Sequence, residues 1–327
     1  MEKIRNNYYL NQLLRILKFN YKNKIISFKK TKYRNSLQDD IFISPNIYTL
    51  MSDIKNTYMC DTSKIRCYIH TNNLNNKIKK DIQLIINRFY TLYTILIKNN
   101  ISFNKQKFIL DYYPLKCKKV FPINFKILNP ENINSGSSYI FLNKISIWRE
   151  EEFLKVFIHE LFHCLGFDRF LINNKSDLTK YFNIKNFINH NEGYNEFCAL
   201  IYHCAFTSIE NNKSFSKLLN KNREFTFFQI KQILQYNNYK NFDTNKLFKQ
   251  NASVFSYFIL KGFYLYHLNQ LIDICKKDTF YFYPLNKFVS FNQFELECFN
   301  NKNFYKLINK LIKNFDYISN NTLRMTI

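Results

Sequence analysis

Glycine is scarce in this chain. It has four, Gly136, Gly166, Gly193 and Gly262, in 327 residues, where average usage would give roughly 20. Residues this sparingly used sit where the backbone demands them, and three of the four flank one short stretch described below. Acid is scarce too: 24 Asp and Glu stand against 48 Lys and Arg, a net charge of +24. A balance like that invites a polyanionic partner. Asn, Lys, Ile, Phe and Tyr are all abundant, however, and all have A/T-rich codons, so the lysines read as genome bias spread over the surface. No dense Lys/Arg run and no DNA- or RNA-binding signature is present, which leaves nucleic acid as a secondary partner through a basic surface. The eight cysteines include no C-x-x-C pair, and the N-terminus MEKIRNNYYLNQ is too polar for a signal peptide. Both point to reduced thiols in a cytosolic compartment. The most apolar run, Val254 to Leu268, is broken by Lys261 and too short to span a bilayer.

Against these absences the stretch EEEFLKVFIHELFHCLGFD, Glu150 to Asp168, stands out. It contains His159, Glu160 and His163 in the pattern H-E-x-x-H. On a helix, residues four apart differ by about 40°, so both imidazoles leave one face and can hold one metal ion. Glu160 is turned about 100° from His159, beside the ion, where it can take a proton from water. This is the signature of zinc hydrolases. Phe153, Leu154, Val156, Phe157, Ile158, Leu161, Phe162 and Leu165 make the helix apolar nearly all round, hence buried. Buried ionisable groups are rare unless they are paired or hold a metal. Glutamate clusters here as well: nine of twelve lie between Glu131 and Glu224. Glu150, Glu151 and Glu152 are expected in the first turn of the helix, favoured by its dipole, and Gly166 at its C-terminal stop.

Around this stretch, periodicity predicts an amphipathic helix Tyr8–Phe19 and a basic arm from Lys22 to Arg34. A strand Lys64–His70, a long helix Asn75–Lys98 and a strand Lys105–Tyr113 follow. A proline-punctuated linker covers 114–135, and Tyr139–Trp148 reads as one strand or a tight hairpin. Beyond a polar loop from Asp168 to Asn189 the chain turns helical: a helix from Asn189 or Asn191 to Ile209, then Glu224–Tyr236, Ser253–Lys276 and Lys302–Phe315. Three regions result: a helix and basic arm (1–40), a lobe carrying the motif helix (41–166) and a helical lobe (167–327).

A catalytic zinc site takes three protein ligands and an open position. Three residues compete for the third place: Asp168, near the position that follows H-E-x-x-H-x-x-G in one zinc-protease pattern; His190; and Glu192. Cys164 and Cys198 would be the extra donors if the zinc were purely structural.

H-E-x-x-H followed by N-E-G-Y-N-E at Asn191 to Glu196 resembles the gluzincins, the group of thermolysin-like proteases and zinc aminopeptidases. The resemblance implies an α+β zincin-like fold with an N-terminal sheet-plus-helix lobe and a mostly helical C-terminal lobe. It implies His159, His163 and Glu192 as ligands to Zn2+, Glu160 as general base, and Glu196 as the outer carboxylate that orients a ligand histidine. Gluzincins also place a Tyr or His from a downstream helix on the oxyanion; Tyr257, Tyr264 and His267 are the candidates, with Tyr257 first. The implied activity is hydrolysis of peptide bonds in a peptide or protein substrate. The stretch from NSG at Asn134 through Asp168, together with EGYNEFCA, also resembles uncharacterised H-E-x-x-H proteins of large DNA viruses. One departure from the gluzincin pattern is the gap of 28 residues between His163 and Glu192, longer than in thermolysin-like enzymes, which keeps His190 in contention. NSGSSYIFLN, just before the motif helix, is expected to supply a sheet edge for substrate, with Gly136 allowing close approach. The rival reading is a basic nucleic-acid- or assembly-binding protein with structural zinc, or an inactive peptidase scaffold.

Overall fold

Six strands form one mixed sheet in the computed structural model, which describes residues 4, 7–33, 42–101, 106–122, 127–171, 183–184, 188–242, 245–275, 281–282, 288–313 and 322–327. The strands are β1 (Lys29–Thr31), β2 (Thr57–Asp61), β3 (Ile65–His70), β4 (Phe108–Tyr112), β5 (Gly136–Tyr139) and β6 (Lys144–Ile147). Their order is β1-β2-β3-β4-β6-β5. β3, β4 and β6 run parallel, and β1, β2 and β5 pair antiparallel with their neighbours. The anticipated linker at 114–135 therefore ends in an edge strand. Tyr139–Trp148 is not one strand: a 3-10 turn, Ile140–Leu142, separates β5 from β6. Asn143 closes that turn at φ 47, a left-handed conformation that Asn tolerates better than most residues.

Strand alternation gives the sheet two unlike faces. Cys67, Ile69, Leu110, Tyr112, Ile145 and Ile147 point into the main core. Helix α1 (Tyr8–Asn20) and helix α3 (Asn76–Lys98) pack together on this side, and α3 buries Ile82, Ile85, Phe89 and Leu92. The Asn75 side chain caps α3 by accepting from Ile78 N at 2.9 Å, satisfying an amide that the helix leaves open. The opposite face carries Tyr68, His70 and Asp111. Beside it, helix α2 (Pro45–Ser52) brings Ile47 and Met51 against Tyr113 and Trp148.

After a short helix α4 (Pro130–Ile133) and the β5–β6 hairpin comes the motif helix α5 (Phe153–Leu165), packed against β5 and β6. It starts only after the three glutamates expected in its first turn. Glu150 and Glu151 precede it, and Glu152 is its N-cap at φ 60, so the three glutamates do not occupy its first turn. Other demands hold them. Glu150 pairs with Lys77, Glu151 accepts from Lys119 N, and Glu152 is buried. Gly166 ends α5 in the left-handed region at φ 78, as a C-terminal glycine does.

The second half is helical. Helix α6 (His190–Asn211) lies against α5, and α7 (Phe215–Tyr236), longer than its periodicity suggested, packs on α6. The expected helix Ser253–Lys276 divides into a π-helical turn Phe255–Leu260, α8 (Lys261–Tyr266) and α9 (Leu268–Cys275). Helices α10 (Phe288–Asn300) and α11 (Lys302–Lys313) complete it. Residues 322–327 then return to the first half, where Thr322 bridges Val120 antiparallel and Leu323 N donates to Lys119 O at 2.9 Å. Parts of the basic arm (34–40), most of the polar loop (172–182 and 185–187), Lys276, and the last residues of the expected helix Lys302–Phe315 lie outside the described residues. Of the arm, residues 29–31 form β1. No helix among the described residues is long and apolar enough to cross a membrane.

Candidate metal centre

Two helices build the site. On α5 the residues Lys155, His159 and His163 are spaced i, i+4, i+8, so one face of an otherwise apolar helix carries a polar row. On α6, Glu192 and Glu196 are also four apart and face that row. Lys155 Nζ meets Glu196, His159 lies between Glu196 and Glu192, and His163 reaches Glu192. Gly193 lets α6 come close to the π-helical turn: a Cβ there would lie 2.8 Å from the Leu260 side chain.

Three atoms converge. His159 Nε2 lies 3.1 Å from His163 Nε2 and 3.1 Å from Glu192 Oε2, and His163 Nε2 is 3.4 Å from the same oxygen. Donors about 2.1 Å from one tetrahedral ion are themselves about 3.4 Å apart. Among the described residues these three side chains form the one group with metal-ligand spacing. Each histidine also has a carboxylate on its far side. His163 Nδ1 is 2.7 Å from Asp168 Oδ2, with Asn195 Nδ2 at 2.8 Å. His159 Nδ1 is 3.2 Å from Glu196 Oε2, at an angle too oblique for a full hydrogen bond. With the Nδ1 protons facing Asp168 and Glu196, both Nε2 atoms present lone pairs toward the Glu192 carboxylate. Three electron-rich atoms in van der Waals contact repel one another unless something positive lies between them.

Proton affinities follow the same logic. Burial would lower the His163 pKa, but Asp168 and Glu192 outweigh it and carry it well above the usual imidazole range. Burial likewise opposes the His159 shift, and the facing carboxylates of Glu192 and Glu196 raise it. Burial would raise Glu192, yet the two histidines hold it well below the ordinary carboxylate value. A metal ion and protons are alternative ways of supplying positive charge at one point.

Glu160 stands apart from the three converging atoms. Burial raises its pKa against the pull of His159 and His163, which suits a group that must accept and return a proton. It lines an open cleft together with His159, Val156, Tyr257, Gly136 and Met325, among others. Gly136 opens edge strand β5, and a Cβ there would sit 3.0 Å from Glu160 Oε1. The scarce glycine therefore lets a sheet edge lie directly against the carboxylate. Tyr257, in the π-helical turn, has its ring 5.9 Å from that of His159 and lines the same cleft.

The remaining candidates are placed elsewhere. His190 Nδ1 is 3.1 Å from Glu295 Oε1 in the core, not at the centre. Its position at the first turn of α6 points it to the face opposite Glu192. Asp168 lies outside the converging group and backs His163 instead. Tyr264 donates to Glu295 at 2.6 Å, and His267 packs among Phe263, Tyr266 and Phe294. Neither reaches the cleft. Cys164 and Cys198 are buried, and neither belongs to the converging group.

Sequence reasoning missed the charges around Glu196. Lys155 and Lys261 both pair with it, Lys261 at 3.3 Å, and Lys119 pairs with Glu152 at 3.0 Å, all of them buried. Burial lowers the Lys261 pKa to about 8. Burial would raise Glu152, but Lys119 and Lys155 bring it down to about 2. Only the i−4 relation of Lys155 to His159 hinted at this cluster.

Comparison with known proteins adds one relative. The chain is similar to an uncharacterised protein of Acanthamoeba polyphaga mimivirus, 26% identical over 250 residues. The match covers 68% of this chain and 59% of the relative, so the chain spans well under two thirds of that protein's length. No protein-family model matches the chain, and no solved structure matches it.

Proposed function

We propose that the chain is a gluzincin-like zinc peptidase of zincin-like fold, with His159, His163 and Glu192 as the metal ligands. The carrying observation is the convergence of two imidazole lone pairs and a carboxylate oxygen, 3.1–3.4 Å apart, at the wall of an open cleft. The donor set fits: nitrogen, nitrogen and oxygen ligands suit zinc, and three protein donors leave a position free. Asp168 and Glu196 hold the imidazoles in the tautomer such a role requires. A zinc ion bound there supplies Lewis acidity and acidifies the attacking water.

The chain's own residues do the rest. Glu160 takes the proton from the attacking water and delivers it to the leaving amine, a task its raised proton affinity favours. Tyr257 lines the same cleft and can donate to the oxyanion as it forms. Edge strand β5 lies beside Glu160, where an extended substrate can add to the sheet as a further strand. A purely structural zinc would need a fourth protein donor, and among the described residues the group has three.

Metal content of the purified full-length protein is the test. One zinc per chain is expected in the wild type and in His190→Ala, with loss in Glu192→Ala. Zinc retained by Glu192→Ala, or none taken up by the wild type after reconstitution, would end the reading.

A further inference from the structure

The segment Thr322–Ile327 is bound as a peptide ligand is bound. Its contacts fall mainly on its backbone. Leu323 N donates to Lys119 O at 2.9 Å; Met325 N and Thr326 N donate to Glu152 Oε1 at 2.8 and 2.6 Å; Ile327 N donates to Asn222 Oδ1 at 3.1 Å. Its carbonyls are met as well: Gln229 donates to the oxygens of Thr322 and Arg324 at 3.2 and 2.6 Å, and Lys261 to that of Met325 at 3.2 Å. The receiving groups come from four separate places: the stretch 119–120, the N-cap of α5, helix α7 and helix α8. Antiparallel addition to 119–120 with side chains held between is the β-augmentation mode of peptide recognition.

This groove runs into the cleft. Met325 lines the cleft together with Glu160, and Lys155, which pairs with Glu196, also lies 3.7 Å from Met325 Sδ. Two of the groups that grip the segment, Glu152 and Lys261, are charged and buried. Were it to leave, Glu152 would lose three hydrogen bonds and Lys261 one. Such groups cannot stay empty at low cost, so the segment can leave only where another backbone takes its place.

We propose that Thr322–Ile327 is an internal peptide ligand that occupies one arm of the cleft and keeps the resting protein closed, and that an extended polypeptide takes its place when it swings out. Peptide exchange in this groove stands on the geometry above. Its consequence for hydrolysis rests on the zinc-peptidase reading.

The test weakens the segment and leaves the groove intact. In full-length Leu323→Asp, the buried leucine side chain is lost while Lys119, Glu152, Gln229 and Lys261 remain. A fluorescein-labelled peptide with the sequence of Thr322–Ile327 should bind this variant about tenfold more tightly than wild type or better, and adding Glu152→Gln should abolish the gain. In wild type, amide exchange at Leu323, Met325 and Thr326 should run about 100-fold faster than in α5, through local opening. Exchange in step with α5, or a folded Leu323→Asp variant that binds no peptide, would overturn the proposal. If Leu323→Asp does not fold, the wild-type exchange rates decide alone. On an unstructured protein substrate, Leu323→Asp should hydrolyse faster than wild type at unchanged zinc content. Peptide binding without zinc or hydrolysis would defeat the peptidase reading and leave the exchange groove standing.

Discussion

Two buried histidine–carboxylate clusters can be compared in this molecule. One is the centre between α5 and α6. The other is on the far face of the sheet, where His70 lies between Thr57 Oγ1, 3.0 Å from its Nδ1, and Asp111 Oδ1, 2.9 Å from its Nε2. Tyr113 stacks on the His70 ring at 4.2 Å. Both clusters have a carboxylate on an imidazole and lie out of water, and by composition alone either passes for a site. They differ in what remains unspent. Each ring nitrogen of His70 is used by a protein partner, so nothing is left for a ligand. At the α5–α6 centre one nitrogen per ring faces a carboxylate, while the other two point at each other and at Glu192. What sets the α5–α6 cluster apart is the convergence of these atoms beside a cleft, not a buried histidine with an acid.

That contrast can be broken most sharply at Glu160, which His70 has nothing to match. Glu160→Gln should keep zinc and lower kcat by about 10³-fold, read by peptide hydrolysis beside metal analysis. Activity near wild type would remove the general base and with it the difference in kind between the clusters. Acid separates the two regions next. The Glu152 carboxyl lies at about 2 in the folded chain against an ordinary 4.5. Its contribution, roughly 3 kcal/mol, is fully present above pH 4.5 and is lost as pH falls toward 2. Amide exchange followed through that window should show α5 and residues 322–327 losing protection before β2 and β3 do; uniform loss would argue against Glu152 as the anchor. The paired substitutions Asp168→Asn and Asp111→Asn sharpen the comparison further. The first should weaken zinc affinity about 10–100-fold by freeing the His163 ring. The second should leave zinc affinity unchanged and cost about 1–3 kcal/mol of stability, because it weakens the hydrogen bond to His70. Equal effects on zinc would mean that neither carboxylate acts through a ligand.

How much of this was legible beforehand depends on the range of the physics involved. Helix periodicity is local: the apolar stripe of α3 and the H-E-x-x-H face of α5 follow from spacing. Strands β1 and β2 carry little alternation and went unrecognised, since cross-strand pairing with β3 decides them. The three glutamates before Phe153 look like helix-start charges, yet Glu152 is held by Lys119 and by residues 325–326, more than 170 positions away in its contact with Thr326. No local pattern reports such a partner.

The sequence by itself determined that two imidazoles and a carboxylate share one helix and one neighbourhood, because 3.6 residues per turn leaves no other arrangement. It also confined the rare glycines to the places where the backbone must come close, as Gly136 does against Glu160. Only the tertiary structure put Glu192, and not His190, beside the two imidazoles, since that turns on which face of α6 meets α5. It alone turned Asp168 from a rival ligand into the partner of His163, and it alone brought Tyr257 and Met325 to the cleft. Those outcomes rest on packing between segments distant in the chain, where burial and buried charge pairs, not the spacing of neighbouring residues, set the geometry.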